Sequence, residues 1–145
     1  MSVRDHETLT FGEVEVGLEL PVLEVPISVG LIVAGAIATR DFTDVHHDKD
    51  AARRQGMPDV FMNILTTNGF VARLVTDWAG PAARLAKVGI RLGAPNFPGD
   101  TMTMSGRVCG KETVAGRGMV DVEVVGKNGY GKHVTGIVRV ELPCD

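Results

Sequence analysis

The 145-residue chain has only two cysteines, Cys109 and Cys144, and no CxxC pair. That excludes a disulfide framework and a structural zinc site of the usual spacing. It points to reduced thiols and a cytoplasmic compartment. Long hydrophobic runs are missing too. The longest apolar stretch, Val29 to Ala38, is far shorter than the roughly 20 residues that span a bilayer. The opening residues, MSVRDHETLTF, lack the apolar core of a secretory signal. Positive charge is in short supply: 15 Lys and Arg stand against 18 Asp and Glu, for a formal net charge of -3. A nucleic-acid partner calls for a basic face, and an anionic membrane surface is disfavoured on the same ground. GKETVAGRG is glycine-bearing but has no P-loop spacing, so no nucleotide cradle is expected. No repeat, low-complexity tract or linker divides the chain. One domain over residues 1–145 is expected, with residues 1–12 flexible.

The remaining pattern is α+β. Val14, Val16 and Leu18 alternate with polar residues, as in a strand or extended arm. Pro21 and Pro26 bracket a short extended VLEV. Ser28 can cap a short buried helix ending near Thr39. Asp48 can cap a second one through Arg54, with Gly56 ending it. The longest helical candidate runs from Val60 to Asp77, with Ile64, Val71 and Val75 on one stripe, widened by Leu65 and Ala72. Asp59 and Asn63 are both candidate caps, and Trp78 is expected to seal the helix end. Four strands follow: LAKVGIRLG, TMTMSGRVC, MVDVEVV and HVTGIVRVEL. GKETVAGRG is read as a turn, and Asn128-Gly129 marks a hairpin. Met102, Met104 and Met119 are read as core filler. A sheet of about five antiparallel strands can wrap the long helix and bury its stripe.

The chemistry concentrates in Arg40-Asp41-Phe42-Thr43-Asp44-Val45-His46-His47-Asp48. Asp41 and His46, five residues apart on a loop, can face one cleft and hold one water between them. The carboxylate accepts a proton, and an imidazole titrating near pH 6.5 exchanges the other. Asp44 and Asp48 fit turn and cap positions, and His47 fits a solvated surface position. A metal site built from these acids and histidines lacks a second ligand cluster.

Asp41, Phe42, Val45 and His46 resemble, in register, the hydratase motif of MaoC-like and R-specific enoyl-CoA hydratases. Ala51-Ala52 and Gly56 match that family's following short helix. Pro98-Gly99-Asp100, within APNFPGDTMTMSGRV, matches its entry into a long strand. The resemblance covers about Leu20 to Leu142. Three departures stand out: Arg40 replaces a glycine, Thr43-Asp44 an Asn-Pro pair, and Met62-Asn63 a His-Gly pair. ATRDFTDVHHD and NILTTNGFVARLVTDWAGP resemble one branch, the small subunits of bacterial steroid side-chain enoyl-CoA hydratases.

The resemblance implies a hot-dog fold and hydration of a trans-2-enoyl-CoA to a 3-hydroxyacyl-CoA, with a bulky steroid side-chain thioester as a candidate substrate. Asp41 and His46 are the implied catalytic pair. The backbone N–H of Asn63, at a helix N-terminus, is the implied oxyanion donor. No metal and no cofactor is implied, since CoA is part of the substrate. The implied assembly is a dimer, or a heterotetramer with a second MaoC-like chain. The alternatives are a hot-dog acyl-CoA thioesterase, because fold does not fix function, and a non-catalytic acyl-CoA-binding subunit of a heteromeric hydratase.

Overall fold

A computed structural model describes residues 7–144. Residues 1–6, half of the segment expected to be flexible, lie outside the described residues. Residues 7–12 are tied down: the Leu9 N–H donates to Ala79 O and the Phe11 N–H to Pro143 O. A 3-10 turn spans Phe11–Glu13.

The expected alternation of Val14, Val16 and Leu18 does not survive. Val14 is buried, while Val16 and Leu18 are exposed. The cause is a turn at Val16-Gly17, where Gly17 has φ 96 and the Leu18 N–H closes onto Glu15 O. That turn resets the side-chain phase. The arm then runs beside a strand, meeting it in a single bridge between Glu19 and Arg107.

The sheet has five antiparallel strands: β1 (Leu23–Pro26), β2 (Arg84–Leu92), β3 (Thr101–Val114), β4 (Arg117–Asn128) and β5 (Gly131–Leu142), in the order β1-β3-β4-β5-β2. β3 alternates exposed and buried residues, and Met102, Met104 and Val108 face the core. The β3–β4 connection corrects the sequence reading. The strands continue through the presumed turn, and only Ala115 (φ 50) and Gly116 (φ 77) reverse the chain. Two successive positive φ values suit a two-residue hairpin because they match strand twist.

The expected Asn128-Gly129 hairpin forms with Asn128 still paired to Gly131. The Asn128 side chain accepts from the Tyr130 N–H at 2.9 Å. Its amide donates to Pro95 O and Asn96 Oδ1, so the hairpin also anchors the β2–β3 loop. Asp100 of the Pro-Gly-Asp motif adds a second tie, accepting from the Gly129 N–H at 2.8 Å.

Three helices sit between β1 and β2: α1 (Val29–Ala38), α2 (Lys49–Arg54) and α3 (Ile64–Ala79). α3 lies in the curve of the sheet, the hot-dog arrangement. It starts four residues later than the expected Val60 and ends two residues beyond the expected Asp77, at Ala79. Val60–Asn63 is extended, with the Met62 N–H bonded to Asn96 O, and Asn63 caps the helix through Thr66 N at 3.0 Å. The buried face is Thr67, Val71, Leu74, Val75 and Trp78, whereas Ile64 and Leu65 in the first turn are exposed. Each fully buried valine contributes about 1.5–3 kcal/mol. Trp78 closes the far end, as expected. No helix among the described residues is long and apolar enough to cross a membrane.

α1 departs from its expected burial. Only Ile32 and Ala36 are fully buried, with Leu31 packed partly against the core; Val29 and Ile37 are exposed. α1 crosses the start of α3 at Gly35, where an added Cβ would run into the Thr66 side chain. Gly35 therefore serves a close approach, while Val29 and Ile37 leave another face of α1 exposed.

Candidate active site

Asp41 owes its position to the way α1 ends. The Asp41 N–H donates to Ala36 O at 2.9 Å, and the Arg40 N–H to Ile37 O at 3.0 Å. This paired pattern is the Schellman motif, which needs its penultimate residue in the left-handed region. Arg40 occupies that position with φ 55. The glycine that the resemblance places before the catalytic Asp thus has a physical reason, and Arg40 carries backbone strain of about 1 kcal/mol or more. Arg40→Gly removes the strain at some cost in unfolded-state entropy. The expected result is a gain of about 0.5–1 kcal/mol in urea unfolding, with activity retained.

The Asp41 side chain is 23% exposed and well supplied with donors. Thr43 donates to Oδ1 through its hydroxyl at 2.7 Å and its N–H at 3.3 Å. Asn63 Nδ2 donates to Oδ2 at 3.0 Å. These bonds, the Thr43 hydroxyl first and the Asn63 amide second, lower the Asp41 pKa to about 2. His46 Nε2 lies 3.2 Å from the same Oδ2.

His46 is held in a short 3-10 turn, Asp44–His46, and is buried. Its Nδ1 stands 2.7 Å from Phe61 O. A carbonyl can only accept, so Nδ1 carries a proton. Phe61 packs edge-on against the ring at 5.1 Å. The carbonyl contact fixes the ring so that Nε2 faces Asp41. Nε2 and Oδ2 thus face one another across 3.2 Å, with room for a small molecule to touch both groups from the open side.

Asn63 does more than its backbone role. Its Oδ1 accepts from the Thr66 N–H and hydroxyl, while Nδ2 donates to both Thr39 Oγ1 and Asp41 Oδ2. One buried amide joins the start of α3, the end of α1 and the carboxylate. Its backbone N–H makes no hydrogen bond among the described residues. The neighbours behave as read from sequence. Asp48 caps α2 through Asp50 N and Ala51 N, and His47 is exposed beside Asp44 at 3.8 Å. Among the described residues, no group of three or more His, Cys, Asp or Glu is placed to hold a metal ion.

An open cavity of about 430 Å³ borders Asp41, lined by Val33, Ala36, Ile37, Asp41, Phe42 and His47. Its walls are apolar apart from Asp41 and His47. Phe42 is 68% exposed and Ile37 60%.

Sequence reasoning missed His133. β4 and β5 slip register between Gly126↔Val134 and Lys127↔Lys132, leaving His133 as an extra residue. That bulge turns its ring inward, where it is 1% exposed. Its Nδ1 lies 2.6 Å from Ala94 O and its Nε2 2.8 Å from Thr67 Oγ1. Burial pushes its pKa below the ordinary 6.5, against the pull of the Ala94 carbonyl. The unfolded chain therefore binds this proton first as pH falls. Stability from this group is complete above about pH 6.5 and declines below it. Urea unfolding between about pH 7 and pH 5 is expected to show a steeper loss for the wild type than for His133→Gln.

A family model described as MaoC like domain matches residues 18–139. The chain is 49% identical over 127 residues to the 3-oxo-4,17-pregnadiene-20-carboxyl-CoA hydratase beta subunit of Mycobacterium tuberculosis, covering 88% of this chain and 95% of that one. Among solved structures it resembles a chain of the ChsH1-ChsH2 complex from the same organism, with TM-score 0.84, 48% identity, and 88% and 98% of the two chains covered. It also has the fold of the R-hydratase PhaJ1 from Pseudomonas aeruginosa, with TM-score 0.81, 19% identity, and 95% and 88% covered.

Proposed function

Because the chain belongs to the MaoC-like domain family, we propose that it hydrates a trans-2-enoyl-CoA at the Asp41–His46 pair. The observation that carries the reading is the approach of His46 Nε2 to Asp41 Oδ2 at 3.2 Å. A water bound to both groups is positioned and polarised by them. The water oxygen bonds to Cβ and one of its protons passes to the pair. The pair delivers a proton to Cα, so it ends as it began. The thioester carbonyl gains enolate character during the step. The unbonded Asn63 N–H, at the positive end of α3, is suited to receive it. The thioester already activates the α position, so the step calls for no metal or further cofactor.

The substrate reading follows from the apolar walls beside Asp41. A cavity of about 430 Å³ falls within the ordinary range for ligand sites. Its Val33, Ile37 and Phe42 lining suits a bulky hydrocarbon body. The 49% identical relative is named for a pregnadiene-carboxyl-CoA, and a steroid side-chain thioester is the matching candidate here.

Two exposed features favour an assembly. β2 is a nine-residue edge strand with unpaired backbone groups, a template for pairing with another sheet. Val29 and Ile37 of α1 are exposed, as are Phe42, Ile64 and Leu65, and exposed large apolar side chains are what an interface would cover. The solved structure 48% identical to this chain is a two-protein complex by its own description. A heteromer with a second MaoC-like chain is the assembly expected to give full activity.

The test is turnover of crotonyl-CoA and of a steroid enoyl-CoA, by the chain alone and co-expressed with a MaoC-like neighbour, with light scattering on each sample. Loss of enoyl absorbance without thiol release supports hydration. Thiol release supports a thioesterase. Inertness of both samples supports a binding subunit. A fully active monomer ends the assembly reading; an active homodimer ends only its heteromeric part.

A further inference from the structure

We propose that His133 is a positioning residue for the hydration step, setting the first turn of α3 and hence Asn63. The inference rests on the hydratase reading and adds to it a residue some distance from the reacting atoms. It begins with the bulge. Without the extra residue in β5, position 133 would face the opposite side of the sheet from Val134. The bulge brings both residues inward. A hydrocarbon side chain would fill such a space at no polar cost, whereas a buried imidazole is tolerated only when hydrogen-bonded.

Both ring nitrogens of His133 are satisfied, and each partner flanks Asn63 from a different direction. Because Ala94 O only accepts, the proton sits on Nδ1, and Nε2 accepts from the Thr67 hydroxyl. Thr67 lies one turn beyond Asn63, and its N–H donates to Asn63 O at 3.2 Å. Ala94 belongs to the β2–β3 loop, which also contains Asn96. Asn96 O accepts from the Met62 N–H at 3.1 Å, and its side chain is held by Asn128. One ring thus braces the helix on one side of Asn63 and, through the loop, the extended segment on the other. Asn63 must place its amide on Asp41 Oδ2 and its N–H toward the thioester. Small displacements of such groups are costly in rate.

Isosteric variants separate the two contacts. His133→Asn places an amide near the Nδ1 position and keeps a donor for Ala94 O, but loses the acceptor for Thr67. His133→Gln reaches the Nε2 position and keeps that acceptor. Thr67→Val removes only the hydroxyl and retains the side-chain shape, which guards against misfolding. In whichever assembly is active, His133→Asn and Thr67→Val are expected to lower kcat about tenfold or more with little change in KM, and His133→Gln to retain most of the rate. A second readout is specific to positioning. When the Asn63 amide leaves Asp41, the acid limb of kcat/KM moves to higher pH, as in Asn63→Ala. The titratable groups facing Asp41, His46 in the pair and His47 across the cavity, are unaltered in these variants. Folded His133→Asn and Thr67→Val proteins with wild-type kcat and an unmoved acid limb would overturn the proposal. Asp41→Asn run beside them distinguishes the two failures: if it too keeps the wild-type rate, the hydratase reading at this site falls, and the positioning role with it.

Discussion

Asp41→Asn and His46→Ala are each expected to lower kcat by about a hundredfold or more, and the double variant to be no slower than the worse single one. Positioned proton transfer contributes about 10²–10⁴ in rate. Residues that act on one water behave as a unit, so their losses do not add. The geometry makes Asn a severe replacement at position 41. Thr43 and Asn63 both donate to the carboxylate, and an amide cannot accept from both sides while also accepting a proton from water. His46→Ala removes the ring that Phe61 O orients. Far-ultraviolet circular dichroism and thermal melts show whether the variants remain folded. His47→Ala serves as the comparison, since its ring is exposed and pairs only with exposed Asp44. Retention of more than about a tenth of the wild-type rate, a loss under roughly 1.4 kcal/mol, would remove a residue from the mechanism.

Asn63→Ala is expected to lower kcat by about ten- to a hundredfold and to cost about 1 kcal/mol of stability through the lost cap. Its backbone N–H remains, so the kinetic loss reports the side chain. Without the Nδ2 donor, the Asp41 pKa rises from about 2 toward 3.8. The sign follows: an ionised Asp41 stabilises the fold above about pH 3.8 and that contribution fades as pH falls toward 2. The variant loses it at higher pH than the wild type. Asn63→Asp separates the two roles. Its carboxylate can still cap α3, but it faces Asp41 Oδ2 with a like charge, so activity falls while the cap persists. Wild-type kcat in both variants would leave the Asn63 side chain as a helix cap and nothing more.

The proximity of Asp41 and His46 was readable in the sequence because that information is local, while their proposed role came from the family resemblance. Asp41 and His46 lie five residues apart, between an apolar helix and a capped one, so a short loop was enough to bring them together. Asp48 and Asn63 were legible as caps for the same reason. The Asn63 side chain was read less well: its bond to Asp41 crosses 22 residues, and local pattern carries no such pairing. His133 was hidden by periodicity itself. Counting back in twos from Leu142, Val140 and Val138 puts it on the outer face, and only the bulge turns it in. α1 was expected to be buried because it is apolar all round. The chain alone buries one face of it, and the rest is exposed beside the cavity. The β3–β4 turn was drawn too long because glycines at Gly110 and Gly118 look like turn residues, although both pair within strands.

The most direct test of the central claim follows the water. The chain, co-expressed with a MaoC-like partner, is incubated with a trans-2-enoyl-CoA in ¹⁸O-labelled water, and the products are separated by mass spectrometry. The account predicts an intact CoA thioester heavier by one labelled water, with the label in a 3-hydroxyl group, and loss of that product in Asp41→Asn. Free CoA with the label in a released carboxylate would contradict it, as would a labelled 3-hydroxyacyl-CoA formed equally well by Asp41→Asn.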